Sequence, residues 1–378
     1  MRHGAWRVCA QLPKFGRHAR RLASEVERFA SMRPRPVSMH RFVHEFARPG
    51  ELGTFLHEEM PIRFAERIRW IEQVPEWQEV PELVDAHLKH MASFSYMRKA
   101  DPLERVKFQS VLQKIIKRQD NMVELMTHAM QKLRKIRGEK DFDSFSNKFL
   151  DDFLLNRLGC NLLMTHYLAC SHPGRHTVGI IDPQCDAVKV CEEAGQELQQ
   201  ACQDFLGRSP AVQVQGYHQS LGSGSPTTGL VPRFAYIPGI LSFIVRELLK
   251  NSFRATLDLA QTDDELAQRP VVIIVCADED HVMIRISDRA QGIPIDVGTR
   301  VWSYMYTTSK KPSPLSGYGV GLPLSRLHAR YLGGSLELVS LPGFGTDAYL
   351  SLPRVDTEMV EVVPDDDAPE CATYSFTV

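Results

Sequence analysis

"RELLKNSFRA", residues 246–255, is the stretch on which the fold turns. Its spacing is helical. Leu241, Val245, Leu248 and Ala255 form a stripe suited to a hydrophobic core, while Glu247, Asn251 and Arg254 share another face at about 100° per residue. A plain core helix needs no carboxylate, amide and guanidinium in line. Three such groups on one face ask for a common ligand.

Three glycine-bearing pieces follow. "SDRAQGIP" (287–294) places Asp288 at the end of a β-type run, with Gly292 four residues on. "GYGVGLPLSR" (317–326) has alternate glycines at Gly317, Gly319 and Gly321 and then a helical start, and "GFGTD" (343–347) is a tight turn between two strand-like runs. Singly, each glycine cluster means only a turn. None has the GxxxxGK[ST] pattern, or a GxGxxG after a strand. In this order and spacing, however, they resemble the nucleotide site of the superfamily shared by gyrase, Hsp90 chaperones, histidine kinases and MutL (GHKL). Residues 247–254 match its N box, 288–292 its G1 box, 317–321 its G2 box and 343–346 its last glycine turn.

The chemistry suits those places. A carboxylate at a buried edge, Asp288, can accept the exocyclic amine of adenine, and Gly292 lets the base approach the backbone. Alternate glycines free N–H groups for phosphate oxygens, aided by the helix start behind them. The Asn251 amide oxygen is a hard neutral ligand suited to Mg²⁺, which keeps waters and bridges phosphates. Glu247, one turn earlier, can take a proton from an attacking hydroxyl or orient a water. The competing reading for Glu247 is a salt bridge to Lys250 or Arg254.

Around these motifs the 378-residue chain has the length of two ordinary domains and a net charge of −1, which gives no electrostatic case for nucleic acid or an acidic membrane. The eight scattered cysteines form no CxxC pair or metal-ligand spacing and read as free thiols. Residues 1–24 contain no acidic residue but carry Arg2, Arg7, Lys14, Arg17, Arg20 and Arg21, as a mitochondrial transit peptide does. Residues 25–176 have helical periodicity, seen in "VLQKIIKRQDNMVELMTHAMQKL" (111–133) and "NKFLDDFLLNRLGCNLLMTHYLA" (147–169), and predict a helical bundle. From 177 to 356, short β-runs ("TVGII", "VVIIVCA", "VMIRIS", "SLELVS", "AYLSLP") alternate with helical patterns at 187–205 and 238–260, with a hairpin over 271–287. The predicted fold is thus α+β with two domains: a helical bundle, then a GHKL-type mixed sheet with helices on one face. "SLGSGSPTTG" (220–229) reads as a mobile loop and 357–378 as a flexible acidic tail.

The wider match is to one family. "RPVSMHRFV", "HEEMPIRFAERI", "GIIDPQCDAVKV", "RELLKNSFRAT", "SYMYTTS" and "GYGVGLPLSRLHARYLGGSLELVSLPGFGTDAYL" resemble the mitochondrial protein kinases of α-ketoacid dehydrogenase complexes, over roughly residues 25–353. These are the pyruvate dehydrogenase kinases and the branched-chain α-ketoacid dehydrogenase kinase. The resemblance implies serine phosphorylation of the E1α subunit in the mitochondrial matrix, docking on the lipoyl domain of the E2 core, a homodimer, and no membrane span. It implies ATP and Mg²⁺, with K⁺ as a further cation the family allows. Carried over by position, Glu247 is the general base and Asn251 the Mg²⁺ ligand, with Arg254 on the same face. Asp288, Gly292 and Thr346 meet adenine, and Gly317, Tyr318, Gly319, Val320, Gly321 and Leu322 form the phosphate loop. Thr307 and Thr308, cofactor-binding in the same carry-over, lie within an ATP lid over 303–316.

Several positions depart from the family. Phe243 stands where pyruvate-type members carry a His four residues before the Glu, and Asp120 where the regulatory pocket has a His. The G1 box reads "RAQG", and "DDDAPECATYSFTV" lacks the Asp-Trp pair that cross-anchors pyruvate-type dimers. The choice between pyruvate and branched-chain E1 stays open. Two rivals share the ATP boxes. A histidine kinase would use "LHEEMPIRF" around His57, but its Pro61 comes one residue early. An Hsp90- or MutL-like ATPase would use Glu247 to orient water, but such machines begin with the ATP domain rather than a helical bundle.

Overall fold

The computed structural model describes residues 16–138, 142–172, 177–218, 227–228, 231–307, 319–354, 361–364 and 376–377. Residues 1–37 and 44–173 form one unit, and residues 38–43 and 174–378 form the other. Among the described residues, the first unit contains α1 (Gly16–Ala30), α2 (Pro49–Gln73), α3 (Pro81–Lys99), α4 (Arg105–Arg118), α5 (Met122–Arg137) and α6 (Phe142–Cys170). Pro49 and Pro81 open α2 and α3, where a missing N–H costs nothing. Helix α2 packs against α1, α3 and α6. Helix α6 lies among neighbours and so buries several faces at once, through residues such as Leu150, Phe153, Leu158 and Tyr167.

The apolar stripe over 111–133, continuous in sequence, is divided between α4 and α5. A buried polar residue marks the break. Gln119 turns inward, 5% exposed, where its Oε1 accepts from Arg67 Nη1 at 3.2 Å and its Nε2 donates to Ser93 Oγ at 3.1 Å. Asp120, the position singled out from the sequence, is exposed instead. "HEEMPIRFAERI" lies within α2. There the fully buried Glu59 accepts from Arg63 Nε at 2.9 Å and Arg35 Nε at 3.1 Å, and Arg63 Nη2 donates to the Arg35 carbonyl at 3.0 Å. The charges around His57 therefore compensate one another inside the bundle, which a buried carboxylate requires.

The second unit begins with β1 (Asp182–Cys185) and α7 (Ala187–Leu206), followed by β2 (Val212–His218), β3 (Thr227–Thr228) and β4 (Phe234–Tyr236). Then come α8 (Pro238–Leu259), α9 (Asp263–Ala267), β5 (Val271–Ala277), β6 (His281–Ser287), α10 (Gly321–Tyr331), β7 (Ser335–Leu341), β8 (Gly345–Pro353) and β9 (Phe376–Thr377). The larger sheet has the order β3-β2-β5-β6-β8-β7-β9, mixed as expected, with β2–β5 and β7–β9 parallel. The hairpin of β5 and β6 is where the sequence puts it. "TVGII", by contrast, is no strand. Only a Val178–Ile181 bridge closes there, and β1 starts at Asp182 to pair with β4.

Helices α7, α8 and α10 cover one face of the sheet. Alternate residues of the central strands point at them: Val271, Ile273 and Val275 from β5, Val282, Ile284 and Ile286 from β6, Leu350 and Leu352 from β8. Because α8 is flanked by both other helices, its buried stripe is wider than its spacing suggests and takes in Ile244, Leu249 and Phe253. Asp186 caps α7, accepting from Lys189 N at 3.1 Å, and Gly207 ends it in the left-handed region at φ 71°. The tail is not wholly solvated chain. Glu361 is 3% exposed and accepts from the Tyr331 hydroxyl, Val362 N donates to Tyr331 O at 3.2 Å, and β9 extends the sheet beyond β7. Of the 220–229 loop, only Thr227 and Thr228 lie within the described residues, paired with β2.

Candidate nucleotide site

A cavity of about 260 Å³ opens beside α8, and the polar face of that helix forms one wall: Glu247, Lys250, Asn251 and Arg254 all line it. The rest of its lining comes from the sheet ends and the chain leading into α10. Asp288, Gly292 and Thr346 reach it from the β6 and β8 side, and Thr307, Gly319, Gly321 and Leu322 from the other. Ile286, Leu338 and Ala348 give it an apolar floor fit for a planar base. Val320 adjoins it as the residue before α10. Thr308, Gly317 and Tyr318 lie outside the described residues.

Asp288 is the most constrained of these groups. Antiparallel pairing of β6 with β8 sets Ser287 opposite Asp347, which brings Asp288 beside Thr346. Asp288 N donates to Thr346 O at 3.0 Å. In return, Asp288 Oδ1 accepts from Thr346 N at 3.2 Å and Ala290 N at 3.1 Å, and Oδ2 accepts from Ser252 Oγ at 3.0 Å. The residue is 5% exposed. Burial pushes its carboxyl above the usual range, with Asp347 adding to the rise, while the three donors pull the other way. Ser252, on α8 directly after Asn251, was not singled out in the sequence; a small hydroxyl beside the amide was its only signal.

The glycines answer to different constraints. Gly292 has φ 73°, and a Cβ there would meet Leu341 O at 2.6 Å. Gly319 also has φ 73°, and a Cβ on it would stand 2.6 Å from Tyr306 O. Gly345 passes so close to Asp288 O that no Cβ fits. The turn before β8 is fastened to the G1 segment, with Gln291 N donating to Phe344 O at 3.2 Å and Gly343 N to Gln291 O at 2.8 Å. Gln291 itself sits at φ 66°, a conformation a glycine would adopt freely.

On α8, Lys250 Nζ pairs with Glu247 Oε1. The competing salt bridge is therefore real, and it lies inside the cavity that both side chains line. Phe243, one turn before Glu247, packs on the His328 imidazole of α10, with ring centroids 4.4 Å apart. Among the described residues, no group of three His, Cys, Asp or Glu could hold a metal alone. A magnesium ion on Asn251 would need phosphate oxygens and water to complete its shell.

The geometry has parallels among known proteins. Residues 238–356 match the family described as histidine kinase-, DNA gyrase B-, and HSP90-like ATPase. Residues 38–182 match the mitochondrial branched-chain alpha-ketoacid dehydrogenase kinase family. The mitochondrial [pyruvate dehydrogenase (acetyl-transferring)] kinase isozyme 4 of Ictidomys tridecemlineatus is 31% identical over 365 residues, spanning 90% of this chain and 86% of the relative. The chain belongs to the pyruvate and branched-chain α-ketoacid dehydrogenase kinase family. The mitochondrial pyruvate dehydrogenase kinase of Arabidopsis thaliana is 30% identical over 375 residues (92% of this chain, 97% of the relative), and that of Drosophila melanogaster 28% over 379 residues (94% and 91%). Family membership covers both units of the chain, and every residue that lines the cavity beside α8 lies within the stretch that matches the ATPase family.

Proposed function

We propose that this chain is an ATP-dependent mitochondrial protein serine kinase that transfers the γ-phosphate of ATP to the E1α subunit of an α-ketoacid dehydrogenase complex, pyruvate or branched-chain, and so inactivates it. The observation that carries this reading is the position of Glu247, in the same cavity as Asn251 and Asp288 and one helical turn from Asn251. Asp288 would accept the adenine amine, and the backbone leading into α10 would face the phosphates. Asn251 would hold Mg²⁺, which neutralises phosphate charge when bound. In the transfer, the serine oxygen bonds to the γ-phosphorus as the bond to the ADP oxygen breaks, and the hydroxyl proton passes to Glu247.

The relatives' kinase names favour transfer to a protein over the water-orienting use of the same Glu in a conformational ATPase. The reading extends to the matrix compartment, to docking on a lipoyl domain of the E2 core, and to a homodimer joined through the sheet face that the helices leave open. There β5 and β6 present the exposed Cys276 and Met283.

The test is Glu247→Gln. It keeps shape and hydrogen bonding but removes the proton acceptor, so single-turnover transfer to E1 falls about 10²-fold, the lower end for general-base catalysis, with ATP still bound. A role confined to the Lys250 salt bridge gives the opposite: a lower melting temperature with normal transfer per folded molecule. That outcome would refute the base assignment.

A further inference from the structure

Gly321 is a glycine without a backbone reason. Its φ is outside the left-handed range that Gly319 and Gly292 occupy. It is the first residue of α10, a place any good helix former could take. The nearest atoms around a Cβ at Gly321 all belong to one side chain: Glu247 Oε2 inside van der Waals contact, Cδ at 3.5 Å and Cβ at 4.0 Å. The carboxylate of Glu247 thus fills the space where residue 321 would otherwise carry its side chain. On the other side, Lys250 Nζ holds Oε1.

We infer that Gly321 is a positioning residue for the transfer step, seating the Glu247 carboxylate against the first turn of α10 while Lys250 holds it from within α8. This inference rests on the base role proposed for Glu247. It gives the last glycine of the G2 box a task beyond exposing an N–H to phosphate. The phosphate loop and the proton acceptor become one mechanical unit, because any displacement of the α10 start displaces Oε2. Lys250 holds the carboxylate from the glutamate's own helix and Gly321 bounds it from α10, so α10 completes the base.

The geometry also says how a substitution would act. A methyl at 321 meets the far end of a flexible side chain and no backbone, so the fold yields cheaply and the carboxylate moves instead. Misplacing a catalytic group by about 1 Å can cost roughly 10²-fold in rate.

The experiment compares Gly321→Ala in three backgrounds of the full chain: native Glu247, Glu247→Asp and Glu247→Gln. Each variant is assayed for melting, MgATP affinity by calorimetry, and single-turnover transfer to the E1 component. In the native background, Gly321→Ala melts normally, binds MgATP within about twofold, the scatter of independent sites, and transfers about 10²-fold more slowly. In the Glu247→Asp background, where the carboxylate is one methylene shorter, the added methyl finds space and costs about twofold or less. In the Glu247→Gln background no base remains to misplace, and the loss again stays within about twofold. Equal losses in all three backgrounds, or a loss of MgATP affinity matching the loss of rate, overturn the positioning role and leave the base reading intact. An unimpaired Glu247→Gln variant overturns the base reading and this inference with it.

Discussion

Replacing Asp288 by Asn tests the nucleotide site where its geometry is tightest. The carboxylate accepts three hydrogen bonds, from Ala290 N, Thr346 N and Ser252 Oγ, all between 3.0 and 3.2 Å. An Asn oxygen in the place of Oδ1 keeps both backbone donors. Its NH₂ takes the place of Oδ2, and Ser252 can rotate to accept. The fold should therefore lose about 1 kcal/mol or less at neutral pH. Ligand binding has no such remedy, because the adenine amine would meet another donor. Losing a hydrogen bond to a charged acceptor costs about 1.5–3 kcal/mol, a factor of roughly 10 to 150 in MgATP affinity by titration calorimetry. The pH dependence gives an independent check. Burial raises the Asp288 pKa in the folded state, so its contribution to stability is fully present below the unfolded value and is lost as pH rises through the folded value. The amide of the Asp288→Asn variant does not titrate, so the melting temperature of the variant relative to the native protein should climb from pH 4 towards neutrality. Unchanged MgATP affinity refutes the adenine assignment. A large loss of stability at pH 7 refutes the account of the carboxylate's partners.

Asn251→Ala removes the one protein ligand proposed for Mg²⁺, so transfer should require several-fold more magnesium and a metal titration should shift rightwards; an unchanged magnesium dependence would place the ion elsewhere. Gln291→Gly relieves a left-handed φ of 66° while keeping both backbone bonds, and should raise stability by up to about 1 kcal/mol, with Gln291→Val lowering it. Equal melting of all three would show that the G1 turn holds no strain. Deleting residues 365–378 should leave the mass in solution unchanged if dimerisation rests on the sheet face, whereas a monomer would assign the anchoring to the tail.

What the sequence disclosed follows from what each signal depends on. The polar face of α8 was legible because helical spacing alone aligns Glu247, Asn251 and Arg254. The glycines were legible because left-handed turns and close approaches exclude other residues, as at Gly292 and Gly345. Strand β2 was missed: "VQVQGYH" carries Gln213 and Gln215 on its exposed face and only half-buried valines on the other, so its hydrophobic signal is weak. The break at 119–121 was missed because the apolar spacing runs through it, and the partners that bury Gln119, Arg67 and Ser93, are distant in sequence. The docking of Glu361 depends likewise on the Tyr331 hydroxyl, which no local pattern could announce.

The site residues lie across a hundred positions, and what gathers them is sheet register. Asp288 and Thr346 face each other only because Ser287 pairs with Asp347, and that pairing follows from Ile286 opposite Ala348 and Ile284 opposite Leu350 on the buried face. A one-residue slip would turn the apolar set of β8 to the open face, which the covering helices forbid. The same burial that stabilises the sheet therefore fixes Asp288, the proposed adenine acceptor, beside its backbone donors. Gly345 must then stay bare, since Asp288 O crowds the space a side chain would use. The G1 box and the last glycine turn are thus two ends of one register-locked contact. Substituting either should harm ATP binding and the packing of β6 against β8 together, whereas changes at Glu247 or Gly321, across the cavity, should leave that packing untouched.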